Sequence, residues 1–238
     1  MDRTKKLIIA ILVVVLIGLL AIIAGAFLGG PDLTHENKTI LVLASDKYEQ
    51  PNGGTDMAFL VYLRDGQLYN YTPVYPGGMA HPSQPAPGGL SGRMLLHDCL
   101  WDGVGPGMEY AKEIVEANTG VKADAVVVVY DEGLDRIINA SRPLYVDGEV
   151  SNLSATEIIR ENDAYSGYPG NENVQGTMSR GDAVMVLVKA LANASKDPAK
   201  KDAMVQTAIQ EYSNGNIVMK PEGSFTRLLA TKGIESLA

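Results

Sequence analysis

Two carboxylates in this chain are spaced as a divalent-cation site needs them. Asp46 closes an apolar, β-rich run, Leu41-Val42-Leu43-Ala44-Ser45-Asp46, and Asp56 opens the next such run beyond the loop 47–55. In α/β domains, sites gather at strand ends where the chain reverses. Magnesium is typically held by one or two carboxylates, with substrate phosphate oxygens and water completing its shell. The same spacing also suits a turn cap at Asp46 and a solvated Asp56. Arg160 and Arg180 form a second pair, bracketing a polar, Gly-rich loop at 162–177. Turned inward they converge on an anion, because the guanidinium fork binds phosphate oxygens bidentately. Turned outward they pair with neighbours such as Glu161 and Asp182.

Other reactive side chains carry less. His97 adjoins Asp98, but side chains at i and i+1 are expected to diverge, so the pair is an accessory candidate only. His81 lies in a Pro/Gly-rich stretch. The lone Cys99 excludes an intrachain disulfide and, set among Leu95, Leu96 and Leu100, reads as a buried structural thiol. Tyr62, Tyr71, Tyr75 and Trp101 suit core or groove lining. Nucleophile-elbow, phosphate-loop, paired-Cys and H-E-x-x-H motifs are absent from the sequence.

Strands interleaved with helices must position these groups. Thr39–Ala44 is a continuous buried-type strand, and 56–64 and 67–73 flank Asp65-Gly66, a two-residue hairpin signal. The stretch 76–92 is Pro/Gly-rich without periodicity. A helix is expected over 108–118, stopping at Gly120, then the strongest strand, 123–130, and a short helix at 132–139. A small hairpin at 142–150 turns on Asp147-Gly148. Ser154 and Glu157 have capping-box spacing ahead of a helix to Glu161. Helices follow at 180–194 and 198–213, then a short strand at 217–219 and a helix at 225–232. The pattern predicts an α/β domain with a mixed central sheet sandwiched by helices.

The chain has 238 residues and a net charge of −8, and both averages conceal a division. Leu7–Leu28 runs without a charge or a hydrogen-bonding side chain, and as a helix spans about 33 Å, matching a hydrocarbon core. Arg3, Lys5 and Lys6 precede it, which predicts a cytoplasmic N-terminus at 1–6, a membrane helix at 7–29 in contact with lipid, a stalk at 30–38 and an extracellular domain at 39–238. A cleaved signal peptide ending at Ala24-Gly25-Ala26 is the alternative. Beyond the segment, 17 basic residues face 27 acidic ones, which excludes nucleic-acid binding driven by net charge. No second apolar segment supports a multi-span transporter. Asn-x-Ser/Thr sequons at Asn37, Asn70, Asn139, Asn152 and Asn193 suggest a glycosylated outer surface.

Over residues 39–195 the order of features resembles the LytR-CpsA-Psr family of membrane-anchored cell-envelope enzymes, and more closely a small archaeal relative found in methanogens. The family's apolar strand ending Gly-x-Asp is similar to Leu43-Ala44-Ser45-Asp46. Its Arg-Ser/Thr-Asp-Ser/Thr is similar to Gly54-Thr55-Asp56-Met57, with Gly in the Arg position. Thr72-Pro73-Val74-Tyr75 stands where the family has Ile-Pro-Arg-Asp. Ile159-Arg160-Glu161-Asn162 and Ser179-Arg180-Gly181-Asp182 each keep one Arg of an Arg-rich motif. The resemblance implies a mixed sheet between helices with a hydrophobic tunnel for a lipid tail. It implies magnesium on Asp46 and Asp56, diphosphate on Arg160 and Arg180, and an accessory role for Arg93. It further implies transfer or hydrolysis of a polyprenyl-diphosphate-linked glycan. The thinned arginines leave a second reading open, a non-catalytic envelope protein that binds wall polymer or a membrane partner through the loops 76–92 and 163–178.

Overall fold

A computed structural model describes residues 32–164 and 176–224. The expected membrane segment 7–29, most of the loop 162–177 and the expected helix 225–232 lie outside the described residues. Among the described residues, no helix is long and apolar enough to cross a membrane.

Strands β1 (Asn37–Asp46), β2 (Gly54–Arg64) and β3 (Gln67–Val74) open the domain. The Asp65-Gly66 turn has positive φ at both residues, 49° and 71°, the backbone that joins two right-twisted strands in two residues. Short strands β4 (Ala80–Pro85) and β5 (Arg93–Leu95) pair with each other. The stretch 76–92 is thus not wholly irregular: Pro82 and Pro85 hide β4 from periodicity. Its anchor is His81, buried, whose Nδ1 accepts the Ser83 and Gln84 N–H groups while Nε2 donates to Glu113 at 2.7 Å.

Helix α1 (Val104–Thr119) begins four residues earlier than expected and ends on Gly120 in the left-handed region. Strand β6 (Ala125–Tyr130), helix α2 (Asp131–Ala140) and the hairpin of β7 (Leu144–Val146) and β8 (Glu149–Ser151) follow. Helix α3 (Ala155–Asn162) carries the full capping box. Ser154 Oγ accepts the Glu157 N–H, and the Glu157 carboxylate accepts the Ser154 N–H at 2.8 Å. Helices α4 (Arg180–Ala194) and α5 (Pro198–Ser213) and strand β9 (Ile217–Lys220) complete the described chain.

The central sheet has the order β3-β2-β1-β6-β9, with β1 and β6 parallel and the other neighbours antiparallel. Alternation divides its side chains between two cores. Leu41, Leu43, Ala58, Leu60, Val126 and Val128 pack with Met108, Ala111, Ile114 and Val115 of α1. On the opposite face, Ile40, Leu63 and Val127 pack with α5, and Met57 and Phe59 with Val184 of α4. Helices therefore cover both faces, as the sequence pattern predicts.

Candidate functional site

Parallel pairing of β1 with β6 brings two strand ends, and the aspartates that follow them, to one edge of the sheet. The register ends at Ser45↔Tyr130, so Asp46 and Asp131 emerge side by side. Asp46 Oδ1 accepts the Tyr48 N–H at 2.9 Å, so the turn-cap role allowed by the sequence is real. Asp56 arrives by a different device. Ala44 pairs with Met57 and Ser45 with Thr55, which leaves Asp56 as the extra residue of a β-bulge. Strict alternation would aim Asp56 to the side of Ala58 and Leu60, into the core beneath α1. The bulge turns it to the opposite face and leaves Thr55 on the α1 side, beside the Cys99 sulfur at 3.7 Å.

Asp46, Asp56, Arg160 and Arg180 all line one cavity of about 370 Å³ between the sheet and α3–α4. Asp131 lines it too. The rest of the wall is largely apolar and includes Val42, Phe59, Val61, Val184, Leu187 and Leu191. Arg180 and Leu191 are 11 residues apart on α4, roughly 16 Å along its axis. The cavity is thus charged at the strand-end mouth and apolar toward the far end of α4. Its volume lies within the range of small-molecule sites.

Arg180 does not pair with Asp182. Its Nη1 lies 3.6 Å from Asp56 Oδ1, and its Nε 3.2 Å from the Oδ2 of buried Asp163. Ser179 instead caps the helix, accepting the Asp182 N–H. Partial desolvation of the Asp56 carboxylate, whose side chain is 46% exposed, followed by the nearby Glu49 charge, raises its pKa above the ordinary aspartate value. Arg180 and His97 pull the other way, and Asp46 adds a smaller upward push. Three aspartates face two arginines at this mouth, so an anion entering it meets net negative charge unless a cation accompanies it.

The expected divergence of His97 and Asp98 is wrong. Both sit in a single 3-10 turn, Leu96–Asp98, and His97 Nδ1 lies 2.8 Å from Asp98 Oδ1. Gln50 Nε2 donates to the same carboxylate oxygen at 2.8 Å. The other ring nitrogen, Nε2, lies 3.3 Å from Glu49 Oε1. Half-burial opposes charge on the ring, but Asp98, Glu49 and Asp56 outweigh it and raise the His97 pKa. A ligand atom from each of Glu49, Asp56 and His97 falls within 4.8 Å of the others. These three, with Thr55, Tyr75 and Arg180, line a second cavity of about 390 Å³ that shares Asp56 and Arg180 with the first. For magnesium, the donor set fits in kind: carboxylate oxygens of Asp46 and Asp56 at one mouth.

Arg93 is exposed on β5 and lines neither cavity, so it does not replace a missing arginine. Asn37, Asn70, Asn139, Asn152 and Asn193 are all exposed. Burial holds the Cys99 thiol at a pKa of about 12, which leaves no thiolate for chemistry. Sequence reasoning missed Glu49, Asp131 and Asp163. Asp131 had a signal: it follows the second buried strand just as Asp46 follows the first, and parallel neighbours end at the same edge. Glu49 and Asp163, in or beside loops, had none.

A family model described as "Protein of unknown function (DUF4012)" matches residues 35–165. No curated protein matches the sequence. Among solved structures, TagV from B. subtilis superposes with a TM-score of 0.50 at 16% identity, over 83% of this chain and 80% of that one. Protein gbs0355 from Streptococcus agalactiae gives 0.55 at 14% identity, over 85% and 74%. EF0465 from Enterococcus faecalis, described as a transcriptional regulator, gives 0.50 at 13%, over 87% and 75%. At these identities the likeness is one of fold, a mixed sheet between helix layers of the LytR-CpsA-Psr type.

Proposed function

As the chain belongs to the DUF4012 family of proteins of unknown function, we propose its role from its own cavity: it binds and turns over an amphiphile with an anionic head and a long apolar tail, a polyprenyl-diphosphate-linked glycan, at the outer face of the cell membrane. The observation that carries this reading is the cavity's division, with Asp46, Asp56, Arg160 and Arg180 at one end and aliphatic side chains of the sheet and α4 at the other. A tail buried along that wall gains roughly 0.8 kcal/mol per methylene. Arg160 and Arg180 bind the diphosphate oxygens, and Asp163 with Asp56 holds the Arg180 guanidinium at the mouth. Asp46 and Asp56 hold a divalent cation, magnesium by the family resemblance, which supplies Lewis-acid stabilisation of charge on the diphosphate. In the reaction, an acceptor hydroxyl or water forms a new O–P bond at the glycan-bearing phosphorus. The bond to polyprenyl phosphate breaks, and the hydroxyl proton passes to solvent. The charge-free apolar segment at 7–29 and the exposed sequons support an anchored, outward-facing domain with wall polymer within reach.

One observation favours a second reading, binding without turnover: three aspartates against two arginines neutralise a diphosphate poorly. The test is magnesium-dependent release of polyprenyl phosphate by the full chain in detergent. Asp56→Ala should abolish it. Turnover undiminished in that variant rejects the catalytic reading. A wild type that is stabilised by the lipid but never turns it over supports the second. Ligand at 100 times its dissociation constant should add about 2.7 kcal/mol of stability.

A further inference from the structure

We propose that Glu49, Asp56 and His97 form a binding site for a transition-metal dication, zinc(II) in the first instance. The three donor atoms converge within 4.8 Å. Ligand atoms about 2.0–2.2 Å from a tetrahedral zinc lie roughly 3.3 Å from one another. His97 Nε2 and Glu49 Oε1 are already 3.3 Å apart, so small movements of two exposed carboxylates close the set. An imidazole nitrogen with two carboxylates suits zinc better than magnesium, which takes an all-oxygen octahedron and keeps its waters.

One further feature suits a cation here. His97 Nδ1 lies 2.8 Å from Asp98 Oδ1 and 3.0 Å from Gln50 Nε2, and Nε2 faces Glu49; with the Nδ1 proton given to Asp98, this is the carboxylate–histidine arrangement that orients metal-binding imidazoles. Gly54 makes room for Glu49. Its φ is not positive, so backbone freedom does not explain the residue, yet a Cβ there would come 2.5 Å from Glu49 Oε2 and 3.3 Å from Glu49 Cβ. The carboxylate thus occupies the space above residue 54. The second cavity gives the ion an approach and open positions. The site adjoins the proposed lipid mouth and shares Asp56 with it, but zinc binding is measured without lipid and is tested at Glu49 and His97, which the reading above does not use.

The test is calorimetric titration of the full chain in detergent, stripped with chelator, using zinc and then magnesium. One zinc should bind, at least 100-fold tighter than magnesium. His97→Ala should lose at least 100-fold, Glu49→Gln at least tenfold, and Asp98→Asn about 10–100-fold, as loss of an outer-shell partner does. Gly54→Ala should weaken binding by displacing Glu49. Metal-free melting temperatures within a few degrees of wild type show that the variants fold. If His97→Ala does not fold, exposed Glu49→Gln decides. Absence of saturable zinc binding, binding unchanged by the ligand substitutions, or magnesium binding tighter than zinc overturns the proposal.

Discussion

Val188 sits on the cavity wall of α4, about three-quarters of the way from Arg180 at the charged mouth to Leu191. It is partly exposed, so enlarging it fills space rather than breaking the core. Val188→Trp places about seven more heavy atoms in the path of a lipid tail. Full intrusion would displace about as many tail carbons, worth roughly 5–6 kcal/mol at ~0.8 kcal/mol per methylene. The indole can also swing toward solvent, so about half of that, ~3 kcal/mol, is the expected loss, and this corresponds to roughly 100-fold in affinity. The assay is competition by polyprenyl phosphates of increasing length against a fluorescent lipid. Wild type should tighten with each added isoprene until the cavity is full. Val188→Trp should bind the shortest lipid almost as wild type does and gain nothing from longer tails. Any overpacking penalty, about 1–3 kcal/mol, appears separately as a lower melting temperature. Equal length dependence in the two proteins would refute the assignment of the apolar wall to a tail.

Two more outcomes follow from the packing and charge of the same region. In α1, a Cβ at Gly107 would meet the Cys99 carbonyl oxygen at 2.6 Å and Leu100 Cα at 2.8 Å, whereas Gly105 has nothing within 4 Å. Gly107→Ala should therefore destabilise by about 1–3 kcal/mol despite better helix propensity, and Gly105→Ala should not, as measured by chemical denaturation. The Asp56 pKa is raised on folding, so the native state binds its proton more tightly than the unfolded chain does. Stability without metal then falls as pH rises from the ordinary aspartate value through the raised one. In chelator, Asp56→Asn should melt higher than wild type at pH 7, with the difference closing near pH 3; a lower melt at pH 7 contradicts the assigned cause.

Much of the site was legible because its signals are local. Asp46 and Asp56 flank strands whose apolar runs are plain in the chain, Arg180 follows the Ser cap that starts α4, and Arg160 lies in the last turn of the helix whose start the capping box marks. Other features escaped because they depend on contacts between distant segments. Glu49 meets His97 across 48 residues, and Asp163 meets Arg180 across 17. Arg93 sits near His97 in sequence, yet β5 carries it to an exposed edge away from both cavities. The His97–Asp98 contact depends on the 3-10 turn, whose geometry neither residue type specifies.

Sequence alone determined the layers. Hydrophobic period, capping and turn chemistry are encoded within a few residues, so the strands of the central sheet, the helices that cover it and the Asp65-Gly66 and Asp147-Gly148 hairpins could be read directly, whereas β4 and β5 could not. The charge-free segment Leu7–Leu28 and the acidic remainder were equally explicit. Only the tertiary structure decided the direction of the side chains that matter. One residue inserted into the β1–β2 ladder moves Asp56 from the core face to the cavity face, and a one-residue slip is invisible to a period of two. The parallel β1–β6 register placed Asp131 beside Asp46. The space above Gly54 received Glu49, because packing between segments, and not any local preference, fixes what fills a gap.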